Sequence, residues 1–264
     1  MGKKMQSYNK SEHGSYYPLP EVSPYSKISD YRIKNTKFVF KKCNEYINSH
    51  FNNIKKEVDT IIDIGCGNGE LIYYLSTIWK KQKLTGIDIT PDFIDVANKL
   101  NKDIPNTNFE TADIFDLNPE DYKSDAVCCA SVLQIFPDPE DILNKLIDIV
   151  DDQGILVISS RFNPHDVSLI IQFREESVEI AKDVWRCDFN LPSEKWIKQI
   201  ISKRDDVKNL RFEYPVMTDQ IPKKDHEPIT HKWTVPNPNG GYDIVNGMQS
   251  VFNPAFLILE KKWV

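Results

Sequence analysis

The stretch IIDIGCGNGE, residues 61–70, decides the fold of this 264-residue chain. An apolar strand pattern runs through Asp63 directly into Gly65, Gly67 and Gly69, and an amphipathic helical pattern follows. Glycines allow a tight turn and let a ligand approach the backbone, while the exposed N–H groups at the start of the helix attract negative charge. The stretch therefore predicts a strand, a glycine loop and a helix that bind a nucleotide-like ligand.

The loop differs from the dinucleotide fingerprint G-x-G-x-x-G. That fingerprint would need glycine where Glu70 stands, and it requires no acid at position 63. A nicotinamide-dependent dehydrogenase is therefore the less favoured alternative, and an absorbance assay for the reduced nicotinamide separates the two.

Short β-rich runs alternate with amphipathic stretches around the glycine loop. Alternation at this spacing is typical of a parallel sheet with crossover helices on both faces. The predicted fold class is α/β, a Rossmann-like, seven-stranded, mostly parallel sheet with helices on both faces. The predicted strands are 60–64, 84–89, 108–114, 126–133 and 155–159, and the predicted helices are 36–54, 69–80, 90–101 and 138–151.

The pattern changes after residue 161. A hairpin signal around PNPNGG separates two β-rich runs, 231–235 and 242–246. We expect an N-terminal arm or lid over residues 1–35 and one domain over 36–264, with insertions at about 164–192 and 218–250. The other predicted elements are an extra helical segment at 165–185, a helix at 193–204 and strands at about 210–216 and 256–261.

Two further acids follow predicted strands. Asp88 ends the strand after the glycine loop, about 20 residues beyond Gly69, where a carboxylate can accept hydrogen bonds from both ribose hydroxyls. Asp113 follows the next strand and can accept from an adenine amino group, while Ile89 and Ile114 can hold the ring faces. One such acid alone often only caps the next loop. Three at successive strand ends predict an adenosine site.

Together these motifs resemble the class I S-adenosylmethionine-dependent methyltransferases, over about residues 36–163 and the last strand. The resemblance implies a Rossmann-like fold, S-adenosylmethionine as cofactor with S-adenosylhomocysteine as product, and transfer of a methyl group to a small acceptor. The matching pieces are DIGCGNG (63–69), GIDIT (86–90), TADIFDL (111–117), SDAVCCASVLQIFPDP (124–139) and GILVISSRF (154–162).

The resemblance also assigns roles to residues. It places the glycine loop under the methionyl part of the cofactor, Asp63 near its ammonium group, Asp88 at the ribose and Asp113 at the adenine. Ser131 and Gln134, after the fourth strand, would floor the sulfonium pocket and face the acceptor. The implied cofactor-binding residues are Asp63, Gly65, Cys66, Gly67, Gly69, Asp88, Ile89, Asp113, Ile114, Ser131 and Gln134.

The loop after the fourth strand narrows the range of methyl acceptors that the resemblance implies. It lacks the Asn/Asp-Pro-Pro-Tyr run of many base and glutamine N-methyltransferases, and SVLQIFPDP does not resemble the metal-binding acidic loop of catechol-type enzymes. The resemblance therefore disfavours bases and amide nitrogens and implies no metal. We expect O-methylation of a sugar or phosphate-bearing metabolite. The C-terminal hairpin weakly resembles those of bacterial methyltransferases that modify surface polysaccharides.

Candidate catalytic residues follow the fifth strand. His165, in SRFNPHD, is the best-placed general base, with a solvent-exposed loop histidine as the alternative. Arg161 either clamps an anionic acceptor or forms a structural ion pair with an acid of the insert. The arm and the hairpin supply candidate substrate-binding residues, which equally fit simple packing on the core: Tyr17, Tyr25, Arg32, His231 and Trp233.

The composition excludes several classes of function. With 33 basic and 39 acidic residues, the net charge is -6, which gives no electrostatic footprint for nucleic acid. No apolar run approaches the roughly 18 residues of a membrane span, and five cysteines without a C-x-x-C pair fit a reducing cytoplasm. We expect a cytoplasmic enzyme with a small-molecule acceptor and no nucleic-acid or membrane partner. Its oligomeric state stays open, and a non-catalytic S-adenosylmethionine-binding regulator is the alternative.

Overall fold

A seven-stranded sheet forms the centre of the computed structural model, which describes residues 37–173, 186–223, 232–246, 251 and 253–263. The strand order is β3-β2-β1-β4-β5-β7-β6, and β7 runs antiparallel to both of its neighbours. The Rossmann-like α/β fold is therefore confirmed. The strands are β1 (Thr60–Ile64), β2 (Lys83–Asp88), β3 (Thr107–Thr111), β4 (Ser124–Ala130), β5 (Val150–Ser160), β6 (Val207–Glu213) and β7 (Ala255–Lys261).

Helices cover both faces of this sheet. The first three pack with one apolar cluster, and the last two pack with the cluster on the opposite face. Cys128 and Cys129 show the division, since adjacent residues of a strand point to opposite faces and the two belong to different clusters. The helices of the described residues are α1 (Phe38–Ile54), α2 (Glu70–Ser76), α3 (Pro91–Asn101), α4 (Glu140–Asp148) and α5 (Glu194–Ile201).

Local hydrogen bonds set where two strands end. β3 stops at Thr111, earlier than predicted, because the Asp113 carboxylate accepts from the Phe115 N–H at 3.0 Å and starts a 3₁₀ turn. β4 stops at Ala130 because Ser131 adopts a left-handed backbone with φ 64°. Both strands are therefore shorter than their apolar runs, and loops begin where ligands bind in such sheets.

The predicted helical segment at 165–185 is wrong over its described part. Residues 164–171 are irregular, and a two-residue strand, Gln172–Phe173, pairs with Arg186–Cys187. Leu169 and Leu191 exchange two backbone hydrogen bonds of 2.9 Å. Partners distant in the chain thus satisfy the backbone groups that a helix would have paired internally. Residues 174–185 lie outside the described residues.

The predicted hairpin forms, with Lys232–Pro236 antiparallel to Tyr242–Asn246. It is a separate two-stranded sheet that does not extend the central one. Within the described residues, no helix is both long enough and apolar enough to cross a bilayer. The five cysteines are all buried and none is in a disulfide. The predicted arm, residues 1–35, lies outside the described part of the chain.

Candidate functional site

The glycine loop after β1 is joined to the end of β2 by hydrogen bonds. The N–H groups of Gly65 and Cys66 donate to the Ile87 carbonyl at 2.7 and 3.0 Å. All three loop glycines have left-handed backbones, with φ of 74°, 54° and 75° at Gly65, Gly67 and Gly69. Only glycine adopts that conformation without steric cost, which explains the spacing in the sequence.

The three glycines have different surroundings. A Cβ atom at Gly65 would lie 2.2 Å from the Val132 side chain, and one at Gly69 would lie 2.5 Å from the Phe109 ring. A Cβ atom at Gly67 would meet no atom of the described residues within 4 Å. Gly65 and Gly69 thus allow the loop to pack on protein, whereas Gly67 faces open space that a ligand can occupy.

The three acids occupy successive strand ends, as predicted. Asp63 lies in β1 and pairs in register with Gly86, Asp88 is the last residue of β2, and Asp113 follows β3 by two residues. The Asp88 carboxylate accepts from the Gly67 N–H at 2.8 Å through one oxygen and from the Thr90 N–H at 2.9 Å through the other. The Thr90 side chain donates to the same carboxylate, which keeps lone-pair capacity for a ligand hydroxyl.

Asp63 is the most deeply buried of these acids, with 2% exposure. Its Oδ1 atom has no hydrogen-bond partner among the described residues. Burial, and then repulsion from Asp88, raise the pKa of Asp63 well above its ordinary value. A buried carboxylate oxygen without a partner is costly, and a cationic group such as an ammonium would satisfy it.

A hollow of about 640 Å³ is lined by residues at and after the ends of β2 and β3. Ile89, Thr111, Asp113 and Leu117 are among its lining residues, and its size lies within the range of small-molecule sites. Ile89 is 39% exposed and presents apolar surface at its edge, whereas Ile114 is 8% exposed and packs in the core. Ile89 therefore suits contact with a flat ring better than Ile114 does.

The Cys66 side chain is buried, and its sulfur lies close beside Gly86. Burial, with the nearby charges of Asp63 and Asp88, raises the pKa of the Cys66 thiol. A neutral buried thiol is neither a nucleophile nor a metal ligand. Within the described ranges, no three His, Cys, Asp or Glu side chains are grouped closely enough to hold a metal ion.

The ends of β4 and β5 lie next to the glycine loop in the sheet. Ser131 is exposed, and its N–H donates to the Ser159 carbonyl at 2.8 Å. Gln134 is buried, and its side-chain amide donates to Asp188 at 3.0 Å. Gln134, predicted to face the acceptor, therefore holds a carboxylate of the insert.

Arg161, directly after β5, donates to the Phe189 carbonyl at 2.5 Å and to the Val251 carbonyl at 3.4 Å. Burial lowers the pKa of Arg161 to about 10, while the charge of Asp188 acts in the opposite direction. Arg161 thus joins the insert to the sheet end and contributes a partly buried positive charge there. Phe189 itself has a left-handed backbone with φ 60°, a conformation that costs about 1–3 kcal/mol and concentrates at functional sites.

The other predicted catalytic and substrate-binding residues are less closely grouped. His165 is exposed on a bend, where its N–H donates to the Asn163 side chain at 3.1 Å, and its role as a base stays a prediction. Trp233 is partly buried, with the Lys223 ammonium 5.1 Å from its ring centre. The predicted Tyr17, Tyr25, Arg32 and His231 lie outside the described residues.

A family model described as a methyltransferase domain matches residues 55–210, more than half of the chain. The chain belongs to this methyltransferase domain family. The match includes the glycine loop, the three acids and the ends of β4 and β5.

Relatives and solved structures agree with this family. The chain is 31% identical to trans-aconitate 2-methyltransferase of Escherichia coli O157:H7 and 30% identical to that of Shigella flexneri, each over 103 residues. It spans 39% of the length of these relatives, and the match covers 39% of this chain. The plantazolicin methyltransferase BpumL, solved in complex with SAH, superposes with a TM-score of 0.55 at 19% identity over 94% of this chain and 93% of that one. The N-terminal domain of EvdMO1, solved with SAH bound, gives 0.54 at 12% identity over 89% and 85%.

Sequence reasoning missed three residues that pack at the ends of β4 and β5. Asp188, Phe189 and Lys232 belong to no motif, and they lie far from the glycine loop along the chain. Packing of the insert and the hairpin brings them to the ends of β4 and β5, where Lys232 lies 5.9 Å from the Phe189 ring centre. No local sequence signal announces contacts of that kind.

Proposed function

We propose that this chain is an S-adenosylmethionine-dependent methyltransferase that methylates an oxygen of a small sugar or phosphate-bearing metabolite. Two features of the site together carry the cofactor assignment, one at Asp63 and one at Gly67. Asp63 has a buried carboxylate oxygen without a partner among the described residues, and the Cβ position of Gly67 faces open space above the loop. A cationic, nucleotide-like ligand fits both.

Named residues would hold each part of the cofactor. Asp63 suits the methionyl ammonium, Asp88 keeps lone pairs for the ribose hydroxyls, and Asp113 with Ile89 lines the hollow that suits the adenine. When bound, S-adenosylmethionine supplies a methyl group on a sulfonium centre. The chain then has to orient the acceptor oxygen and exclude water, and such positioning can contribute roughly 7–11 kcal/mol.

The acceptor decides whether the chain must supply a base. A hydroxyl has to lose a proton, for which His165 is the sequence-based candidate, whereas a phosphate or carboxylate oxygen is already anionic. Similarity to trans-aconitate 2-methyltransferases makes a carboxylate a second candidate acceptor. A role in surface polysaccharide modification belongs to the sugar alternative and rests on the weak resemblance of the hairpin.

Calorimetry with S-adenosylhomocysteine tests the cofactor assignment. Gly67→Ala places a methyl group in the open space above the loop, and we expect it to weaken binding at least tenfold. Gly240→Ala is the matched control, because Gly240 also has a left-handed backbone, φ 98°, and its Cβ position meets no described residue within 4 Å. Both substitutions strain the backbone, so only a loss specific to Gly67 reports the ligand. Equal affinities in the two variants would contradict the assignment.

Turnover separates an enzyme from a non-catalytic binding protein. Transfer of a labelled methyl group to a panel of sugars, sugar phosphates and carboxylates is expected from an enzyme, whereas binding without transfer to any of them favours the regulator. His165→Ala then tests the base. Loss of transfer with unchanged cofactor affinity supports a hydroxyl acceptor, and retained transfer at neutral pH indicates an acceptor that is already anionic.

A further inference from the structure

Gln134, in the loop after β4, is held at two points by the insert. Its side-chain amide donates to the Asp188 carboxylate at 3.0 Å, and its backbone carbonyl accepts from the Asn190 N–H at 3.0 Å. Two residues of the insert therefore fix both the side chain and the backbone of Gln134. The residue is 7% exposed, so its amide can exchange Asp188 for water only if the loop moves.

The insert is shaped to present the Asp188 carboxylate to this loop. The Phe189 N–H donates at 2.6 Å to the same oxygen that accepts from Gln134, and Phe189 has the left-handed backbone described above. Asn190 is 2% exposed, and its side-chain oxygen accepts from the Ile171 N–H at 2.8 Å. A strained backbone of this kind persists where surrounding contacts hold it, and Asp188 provides one of those contacts.

The other side of the same loop packs on the glycine loop. Val132, two residues before Gln134, has a methyl group only 2.2 Å from where a Cβ atom of Gly65 would lie. The turn between Val132 and Gln134 is tight, because the Ile135 N–H donates to the Val132 carbonyl at 3.0 Å. β4, which leads into this loop, also pairs directly with β1, which leads into the glycine loop. A displacement at Gln134 therefore reaches the packing around Gly65.

We propose that Asp188 is a positioning residue for the cofactor site, whose shape it maintains through Gln134. This rests on the proposed function. Loss of the carboxylate leaves the buried Gln134 amide without its acceptor, and the loop has to move to bring that amide to water. The movement loosens Val132 from Gly65 and weakens cofactor binding. Asp188 acts here through hydrogen bonds, because both of the groups that donate to its Oδ1 atom are neutral.

Calorimetry with S-adenosylhomocysteine, together with thermal unfolding, tests this role on the full chain. Asp188→Ala should weaken binding about fivefold or more, the equivalent of one lost hydrogen bond. Asp188→Asn should bind within about twofold of the unchanged chain, because an amide oxygen can still accept both hydrogen bonds. Asp188→Asn also removes the charge that interacts with Arg161 and Lys232, so it separates hydrogen-bond geometry from electrostatics.

Asp125→Ala is the matched control for a general loss of stability. Asp125 is a buried carboxylate that likewise accepts from N–H groups, those of Asp59 at 2.8 Å and Thr60 at 3.0 Å, and it pairs with Lys56 at 2.8 Å. It lies near the start of β4, at the opposite end of the strand from Gln134. Asp125→Ala should therefore lower the Tm but leave the affinity for S-adenosylhomocysteine unchanged.

Gln134→Met tests whether Asp188 acts through Gln134. It removes the donor of the shared bond and leaves the Phe189 bond to Asp188 in place, so it carries the test if Asp188→Ala does not fold. Each single variant should weaken binding of S-adenosylhomocysteine. The double variant should bind no more weakly than the weaker of the two, because both changes remove the same bond.

Several results would overturn the positioning role. These are an unchanged affinity in Asp188→Ala or Gln134→Met, an Asp188→Asn variant as weak as Asp188→Ala, an equal loss in Asp125→Ala, and additive losses in the double variant. In each case the unchanged chain still binds S-adenosylhomocysteine, and the proposed function stands. If the unchanged chain does not bind it, the proposed function fails and the positioning role fails with it.

Discussion

Replacing Asp88 with alanine should destabilise the protein more than replacing Asp138 with alanine. Asp88 accepts from the N–H of Thr90, two residues on at the start of α3, and also from the N–H of Gly67. Asp138 accepts from the N–H two residues on at the start of α4, at 3.0 Å. The difference between Asp88→Ala and Asp138→Ala therefore reports the bond to the glycine loop, together with the Thr90 side-chain bond and the greater burial of Asp88.

The magnitude follows from these contacts. The bond shared by both acids resembles a helix cap, which typically contributes about 1 kcal/mol. The bond to Gly67 is charge-assisted, for which about 1.5–3 kcal/mol is typical. Burial raises the pKa of Asp88, so the cost of ionising it offsets part of that gain. We therefore expect the unfolding free energies of the two variants to differ by about 1.5 kcal/mol, near the lower limit.

Urea unfolding followed by tryptophan fluorescence at pH 7 measures both losses, first without ligand and then with saturating S-adenosylhomocysteine. The gap between the variants should widen with ligand, because Asp88→Ala also removes the acceptor proposed for the ribose. Equal losses for the two variants without ligand would show that the Gly67 bond contributes nothing. An unchanged gap with ligand would refute the ribose role.

Three other outcomes follow from burial and charge. Folding raises the pKa of Asp63, so this carboxyl group destabilises the folded protein above its unfolded pKa of about 4, and the penalty disappears below that pH. Asp63→Asn should therefore raise the Tm of the ligand-free protein at pH 7 and change it little at pH 4. The same substitution should weaken cofactor binding. Ile89→Ala should weaken S-adenosylhomocysteine binding severalfold without loss of stability, whereas Ile78→Ala, at a similar 42% exposure, should change neither. The five buried thiols should resist Ellman's reagent in the native protein and all react in urea, and labelling of the native protein would contradict their burial.

The sequence predicted the central sheet well because its signals are local. Apolar runs bounded by glycine, proline and acids placed β1, β2 and the helix after each to within a few residues, and Asp63, Asp88 and Asp113 lie at successive strand ends as expected. The parallel arrangement follows from the alternation of strands and helices, since a crossover helix has to return the chain to the same edge.

The parts that were predicted less well depend on partners distant in the chain. The 165–173 segment is apolar enough for a helix, yet it pairs with residues 186–191, which provide its backbone hydrogen bonds. Gln134 was predicted to face the methyl acceptor, but its side-chain amide donates to Asp188 of the insert. No periodicity in the sequence reveals that choice.

The sequence by itself was enough to predict the glycine loop, the positions of the three acids at strand ends and the resemblance to the family. Each of these is encoded by short motifs and their spacing along the chain. Only the tertiary structure decided that Gly67 is the glycine open to a ligand, that Asp63 has an oxygen without a partner among the described residues, and that the Lys232 ammonium lies over the Phe189 ring. The physical reason is that free space, desolvation and net local charge are properties of what surrounds a residue, and the surroundings are assembled from segments far apart in the chain.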